Sequence, residues 1–121
     1  MSRYTAGISY HEWEIERLRS YRDLAVECLR AALESLESPV ERGASLLMLR
    51  ALAEAYGGLG KVAAEAGISR ESLYRSLSPK GNPTMKTLIA VITSMGLRLS
   101  VVEKKAAAKK RTRAKASRKA A

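Results

Sequence analysis

At 121 residues, with no Phe and a single Trp, the chain has room for one small domain whose core must be aliphatic. A single cysteine, Cys28, excludes an internal disulfide and a cysteine-based zinc cluster, and reads as a small core residue. The formal net charge is +10 but uneven: residues 1–56 carry nine acidic and seven basic side chains, 57–102 two and six, and 103–121 one and nine.

A mildly acidic front, a basic middle and a strongly basic end imply more than one partner, and a basic field attracts polyanions, nucleic acid or an anionic membrane surface. The abundance of Leu and Ala favours helices over strands. A core this small is marginal alone, which favours a dimer. The N-terminus has no signal-peptide pattern, and the longest mostly uncharged run, 87–97, is too short to span a bilayer. A cytoplasmic protein without membrane attachment is the expectation.

Residues 1–9 read as a lead-in, and 10–18 fit either a short helix or an extended segment. Ser20 followed by Asp23 forms an approximate capping box for a helix to about Leu36, with Leu24, Cys28, Ala32 and Leu36 on one face. Ser38-Pro39-Val40-Glu41 is a cleaner start: a cap, Pro at the first helical position and Glu three after the cap. That helix continues through Leu47, Ala51 and Ala55 until Gly57-Gly58 stops it. A short helix over 61–66 ends at Gly67. Ser69 caps the next, which runs to about Leu77 before Pro79 blocks it. Thr84 caps a last helix over 85–95, closed by Gly96. Leu97, Leu99 and Val101 then alternate with Arg98, Ser100 and Val102 as a short strand pattern, expected at or near a dimer interface. From Glu103 onward the chain is a low-complexity Lys/Arg/Ala tail, too charged to bury anything and expected to be disordered. The chain thus divides into an N-terminal helical region (1–56), a second helical region (57–102) and the tail (103–121).

The stretch "AGISRESLYRSLSPKGNPT" carries the functional signal. Two short helices meet at a steep angle only if specific positions are small. Ala63 permits the close crossing, Gly67 supplies the positive φ that reverses the chain, and Val62, Ile68 and Leu73 fill the angle. With Leu73 and Leu77 buried, Arg70, Glu71, Tyr74 and Arg75 must point outward, which is a helix–turn–helix arrangement. Ala-Gly-Ile-Ser also occurs in ordinary helical hairpins, but the continuation adds a basic loop with Lys80 and a supporting helix. Ser76 departs from the pattern, because it stands where many such motifs carry an apolar residue; Leu77 must then do that packing.

Enzyme chemistry finds no footing. His11, the lone histidine, has no cysteine or acidic cluster around it at metal-ligand spacing. No serine sits in a nucleophile setting, and Gly57-Gly58-Leu59-Gly60-Lys61 has the wrong spacing for a phosphate loop. No catalytic residue, metal or cofactor is expected.

The segment "AGISRESLYRSLSPKGNPTMKTLIAVITSMGLRLSV" resembles the HigA-like antitoxins, probable addiction-module antidote proteins of the Xre/lambda-repressor-like helix–turn–helix superfamily. "GISRESLYRSLS", "GNPT" and "GLRLSV" carry the resemblance; "SYRDLAVECLRAALES" extends it more weakly to the front, and the tail departs from it. It implies an all-α, lambda-repressor-like fold and a cytoplasmic bacterial antitoxin, nucleoid-associated when bound to DNA. Such a protein neutralises a HigB/RelE-like mRNA-cleaving toxin and represses its own operator as a homodimer. Ser69, Arg70, Glu71, Ser72, Tyr74 and Arg75 match the recognition-helix positions, and Lys80 a backbone-contacting loop position. Arg70 and Arg75 suit guanine O6/N7; Glu71 suits cytosine N4 or the orientation of an arginine; Ser69, Ser72 and Lys80 suit phosphates. A basic toxin would find its better docking surface on the acidic helices of residues 10–56. The alternatives are a stand-alone phage-like transcriptional regulator and a nucleoid-packaging protein dominated by the tail.

Overall fold

The computed structural model describes residues 9–104, an all-α arrangement of six helices: α1 Tyr10–Ser20, α2 Arg22–Ser35, α3 Arg42–Ala55, α4 Leu59–Ala66, α5 Arg70–Ser76 and α6 Met85–Ser94. The tail from residue 105 and the first eight residues lie outside the described residues. One aliphatic core runs through all six helices, from Ile15 to Met95.

The segment that the sequence leaves open, 10–18, is helical, and a capping box decides it. Ser9 Oγ accepts from the Glu12 N–H at 3.1 Å, and the Glu12 carboxylate accepts from the Ser9 N–H at 3.2 Å. Ile15 and Leu18 turn inward. The Tyr56 hydroxyl donates to Leu18 O at 2.9 Å, and Arg19 Nε donates to Ala55 O at 3.4 Å, pinning α1 to the end of α3.

Because α1 runs through Ser20, the expected Ser20–Asp23 cap does not form. The Ser20 hydroxyl instead donates to Glu16 Oε2 within α1, and Tyr21, extended at φ −116°, ψ 92°, joins the two helices. A cap residue needs non-helical backbone, which Ser20 lacks. The buried face of α2 is also turned by one residue from expectation. Ala25, Leu29 and Ala32 are buried, while Leu24, Cys28 and Leu36 are half-buried. Ser38 behaves as expected in hydrogen bonding, accepting on Oγ from the Glu41 N–H at 3.3 Å and on its carbonyl from the Arg42 N–H at 2.8 Å. These bonds close a turn rather than the helix itself, so α3 begins at Arg42. Leu46, Leu49 and Leu52 of α3 are enclosed, whereas Leu47 faces outward.

Gly57 and Gly58 both take positive φ (104° and 91°), which stops α3 and starts α4 at Leu59, two residues before the expected Lys61. Thr84 caps α6 as expected, its Oγ1 accepting from the Thr87 N–H at 3.2 Å. The strand expected at 97–101 is corrected: no strand occurs among the described residues. The Leu97 N–H returns to Ile92 O at 3.2 Å, and the chain then leaves without a neighbouring strand to pair with.

Candidate nucleic-acid interface

Helix α5 owes its position to small residues on α4 and in the turn. Val62 and Ala63 are buried on α4 at 0% and 2% exposure, which lets Leu73 enter the angle between the helices fully buried. Gly67 takes φ 75°, and the Ile68 N–H reaches back to Ala63 O at 3.0 Å, so the chain reverses within three residues. Ser69 then caps α5, its Oγ accepting from the Ser72 N–H at 3.0 Å. Leu77 is also fully buried and does the packing that half-buried Ser76 does not; the Ser76 hydroxyl donates instead to Leu73 O.

With Leu73 and Leu77 inward, α5 turns Arg70, Glu71, Tyr74 and Arg75 to solvent. Ser69 and Ser72 meet at its start, where Ser69 Oγ donates to Ser72 Oγ at 3.0 Å and Arg75 Nη2 donates to the same oxygen at 3.5 Å. Six of the seven expected site residues thus share one short helix and its cap. Lys80 lies exposed in the turn that follows.

That turn is built for a glycine. The Gly81 N–H bonds Ser78 O at 2.7 Å, and a Cβ on Gly81 would overlap the Ser76 carbonyl oxygen and sit 2.5 Å from Arg75 O. Arg42, at the start of α3, donates to Gly81 O and Asn82 Oδ1, both at 3.2 Å, tying the turn to the other half of the molecule.

Two residues of the site's framework escape a reading of the sequence. Arg50 of α3 lays its guanidinium over the Tyr74 ring, 3.9 Å from the centroid. Its Nη1 donates to Ser78 Oγ at 3.1 Å, and that hydroxyl donates to Tyr74 O at 2.8 Å. Lys86 of α6 places its ammonium 3.1 Å from where a Cβ on Gly67 would sit, beside the C-terminal end of α4, where a cation is favoured. Neither carries a local signal: each reads as an ordinary helix-surface cation.

The exposed face therefore combines Arg70, Arg75 and Lys80 with one acid, Glu71, and hydroxyls at the helix start. It can place planar guanidinium donors against base edges or phosphates, with the Tyr74 ring held by the Arg50 guanidinium. Among the described residues no group of three or more His, Cys, Asp or Glu is placed to hold a metal ion. No helix among them is long and apolar enough to cross a membrane. Cys28 lies between α2 and α3, and burial pushes its thiol up, with Glu14 and Glu27 adding and Arg17 opposing. Such surroundings suppress the thiolate.

No solved structure matches the chain. An uncharacterized protein of Haemophilus influenzae (strain ATCC 51907 / DSM 11121 / KW20 / Rd) is 44% identical over 43 residues, 36% of this chain and 44% of that protein. The aligned stretch thus spans less than half the relative's length. A family model described as "Probable addiction module antidote protein" matches residues 21–103, from the α1–α2 junction through the whole helix–turn–helix region. The match covers more than half of the chain and every residue of the candidate interface, so the chain belongs to the probable addiction module antidote protein family.

Proposed function

We propose that this antidote-family protein is the antitoxin of a type II toxin–antitoxin module, with two separate tasks. In one it neutralises a HigB/RelE-like mRNA-cleaving toxin. In the other it binds its own operator DNA as a HigA-like, dimeric autorepressor of the Xre/lambda-repressor-like type, with α5 in the major groove. It is not an enzyme; its work is cytoplasmic, and nucleoid-associated while it holds DNA.

The observation that carries the DNA reading is the division of α5. Leu73 and Leu77 are wholly buried, and Arg70, Glu71, Tyr74 and Arg75 are left on the outside of a helix only seven residues long. A helix that short contributes little burial, so its polar face is the reason for its composition. Arg70 and Arg75 suit bidentate contact with guanine, Glu71 suits cytosine N4 or the orientation of an arginine, and Ser69, Ser72 and Lys80 suit phosphates. Tyr74, held by Arg50, is the aromatic of the set.

The toxin reading is supported by charge. RNA-cleaving toxins are basic, and the front of this molecule carries exposed Glu16, Glu27, Glu34, Glu37 and Glu41 on α1, α2 and the turn before α3. The test has two arms. Footprinting of the region upstream of the gene should show a protected, two-fold symmetric site. Co-expression with the adjacent toxin-like reading frame should yield a stable complex and restore growth. Protection without a preferred site would support the packaging alternative instead.

A further inference from the structure

We propose that Arg42, at the start of α3, is a positioning residue for DNA binding: it fixes the backbone of the turn that carries Lys80, so that the lysine meets a phosphate from a set origin. The proposal rests on the operator-binding reading above and adds to it a residue outside the helix–turn–helix unit.

Ser78-Pro79-Lys80-Gly81 is a β-turn, closed by the Gly81 N–H on Ser78 O at 2.7 Å, with Pro79 setting its first corner. Lys80 is the second corner, and both corner residues are exposed. Local chemistry is enough to form such a turn. Helix α3 nonetheless holds it at both ends. On the entry side, Arg50 Nη1 donates to Ser78 Oγ at 3.1 Å. On the exit side, Arg42 Nη2 donates to Gly81 O and Asn82 Oδ1, both at 3.2 Å, while its Nη1 reaches Leu36 O at 3.4 Å. Between the two arginines, Gly43 lets Pro79 lie against α3: a Cβ on Gly43 would sit 3.3 Å from Pro79 Cβ.

The acceptors are neutral. Among the described residues no carboxylate lies within ion-pair distance of Arg42, Arg50 or Lys80. An arginine held by carbonyl and amide oxygens keeps its charge uncompensated, so the groups that fasten the turn also leave a cationic field around it. A turn that only redirects the chain gains nothing from this arrangement. One that receives a phosphate gains twice: its backbone ordering is complete before binding, and the field favours a polyanion. The planar fork of Arg42 serves separate oxygens on two segments at once, which a lysine ammonium on its flexible stem does not reproduce.

Salt titrations of the full chain on operator and random DNA, across the Arg42–Lys80 double-mutant cycle, read this role. Lys80→Ala should flatten the slope of log affinity against log salt by about 0.9. Arg42→Ala should weaken both DNAs several-fold alike, and should add almost nothing once Lys80 is alanine. In an Arg75→Ala background it should keep its whole effect, because it acts through the turn and not through α5. Arg42→Lys, which keeps the charge, should bind like Arg42→Ala. Hydrogen exchange at the Gly81 amide should quicken in both Arg42 variants while helical circular dichroism stays unchanged.

Parent-like binding by Arg42→Lys would reduce the role to charge and overturns the proposal. Unchanged exchange at Gly81 does the same. So does an equal loss from Arg42→Ala with and without Lys80, which would make Arg42 a phosphate contact in its own right and leave the operator-binding reading standing. A parent that binds no DNA removes that reading, and this proposal with it.

Discussion

Arg50 and Tyr74 stack across the helix–turn–helix unit, the guanidinium carbon 3.9 Å from the ring centroid, with Ser78 closing the loop by hydrogen bonds to both. The cation that holds Tyr74 thus comes from α3, outside the motif. A stacked guanidinium contributes about 0.5–2 kcal/mol depending on desolvation. Arg50→Ala should lower unfolding stability by about 1 kcal/mol in urea titration and reduce operator affinity. Arg50→Lys keeps the charge but loses the planar stack and the fork, and should recover little of either. Full recovery by lysine would mean that only the charge matters.

The exposed arginines of α5 should matter for recognition and not for folding. Arg70→Ala and Arg75→Ala should each lose about 1–3 kcal/mol of discrimination at one base pair, with unchanged melting temperature. The measurement is a binding titration against a set of single-base operator variants. Parent-like profiles from both variants would remove α5 from the major groove.

Two glycines make a pair with opposite signs. A Cβ at Gly81 collides with backbone carbonyls of residues 75 and 76, atoms that cannot swing aside. Gly81→Ala should cost about 1–3 kcal/mol and displace the Lys80 turn. At Gly60, inside α4, a Cβ would meet nothing within 4 Å. Gly60→Ala should stabilise by about 0.5–1 kcal/mol through helix propensity and unfolded-state entropy. Parallel denaturant curves test both, and a neutral Gly81→Ala would show that the turn relaxes freely.

Toxin docking on the acidic front should respond to charge reversal. Glu34, at the end of α2, and Glu37, in the turn that follows, are both exposed. Glu34→Lys combined with Glu37→Lys should weaken capture of the co-expressed toxin at least tenfold and spare operator binding. Deleting the front half is the poorer experiment, because α3 lends Leu46, Leu49 and Leu52 to the shared core. Undiminished capture by the reversed variant would place the toxin elsewhere.

The tail, nine cations against Glu103, should act on DNA without regard to sequence. Each phosphate neutralised adds about −0.9 to the slope of log affinity against log salt. Removing residues 103–121 should flatten that slope by several units on operator and random DNA alike, leaving their ratio nearly unchanged. Equal slopes with and without the tail would show that it does not touch the duplex.

What the sequence determined by itself is what short-range chemistry specifies. Ser69 and Thr84 cap their helices, Gly67 and Gly96 take positive φ, and Leu73 and Leu77 face inward, because each depends on neighbours within a few residues. The outward set on α5 followed from that local pattern. Tertiary structure decided the rest. Which of two adjacent apolar stripes α2 buries, Leu24/Cys28 or Ala25/Leu29, is settled by packing on α3, since both have helical spacing. Residues 10–18 are too polar for periodicity to choose their form; the Ser9–Glu12 box and the anchor from Tyr56 choose it. The strand pattern at 97–101 found no partner among the described residues, because a strand needs a neighbour's edge that no local sequence supplies. Arg50 reaches Tyr74, and Arg42 reaches Gly81 and Asn82, across spans no periodicity reports. Only the crossing of α3 beside α5 brings those groups within reach.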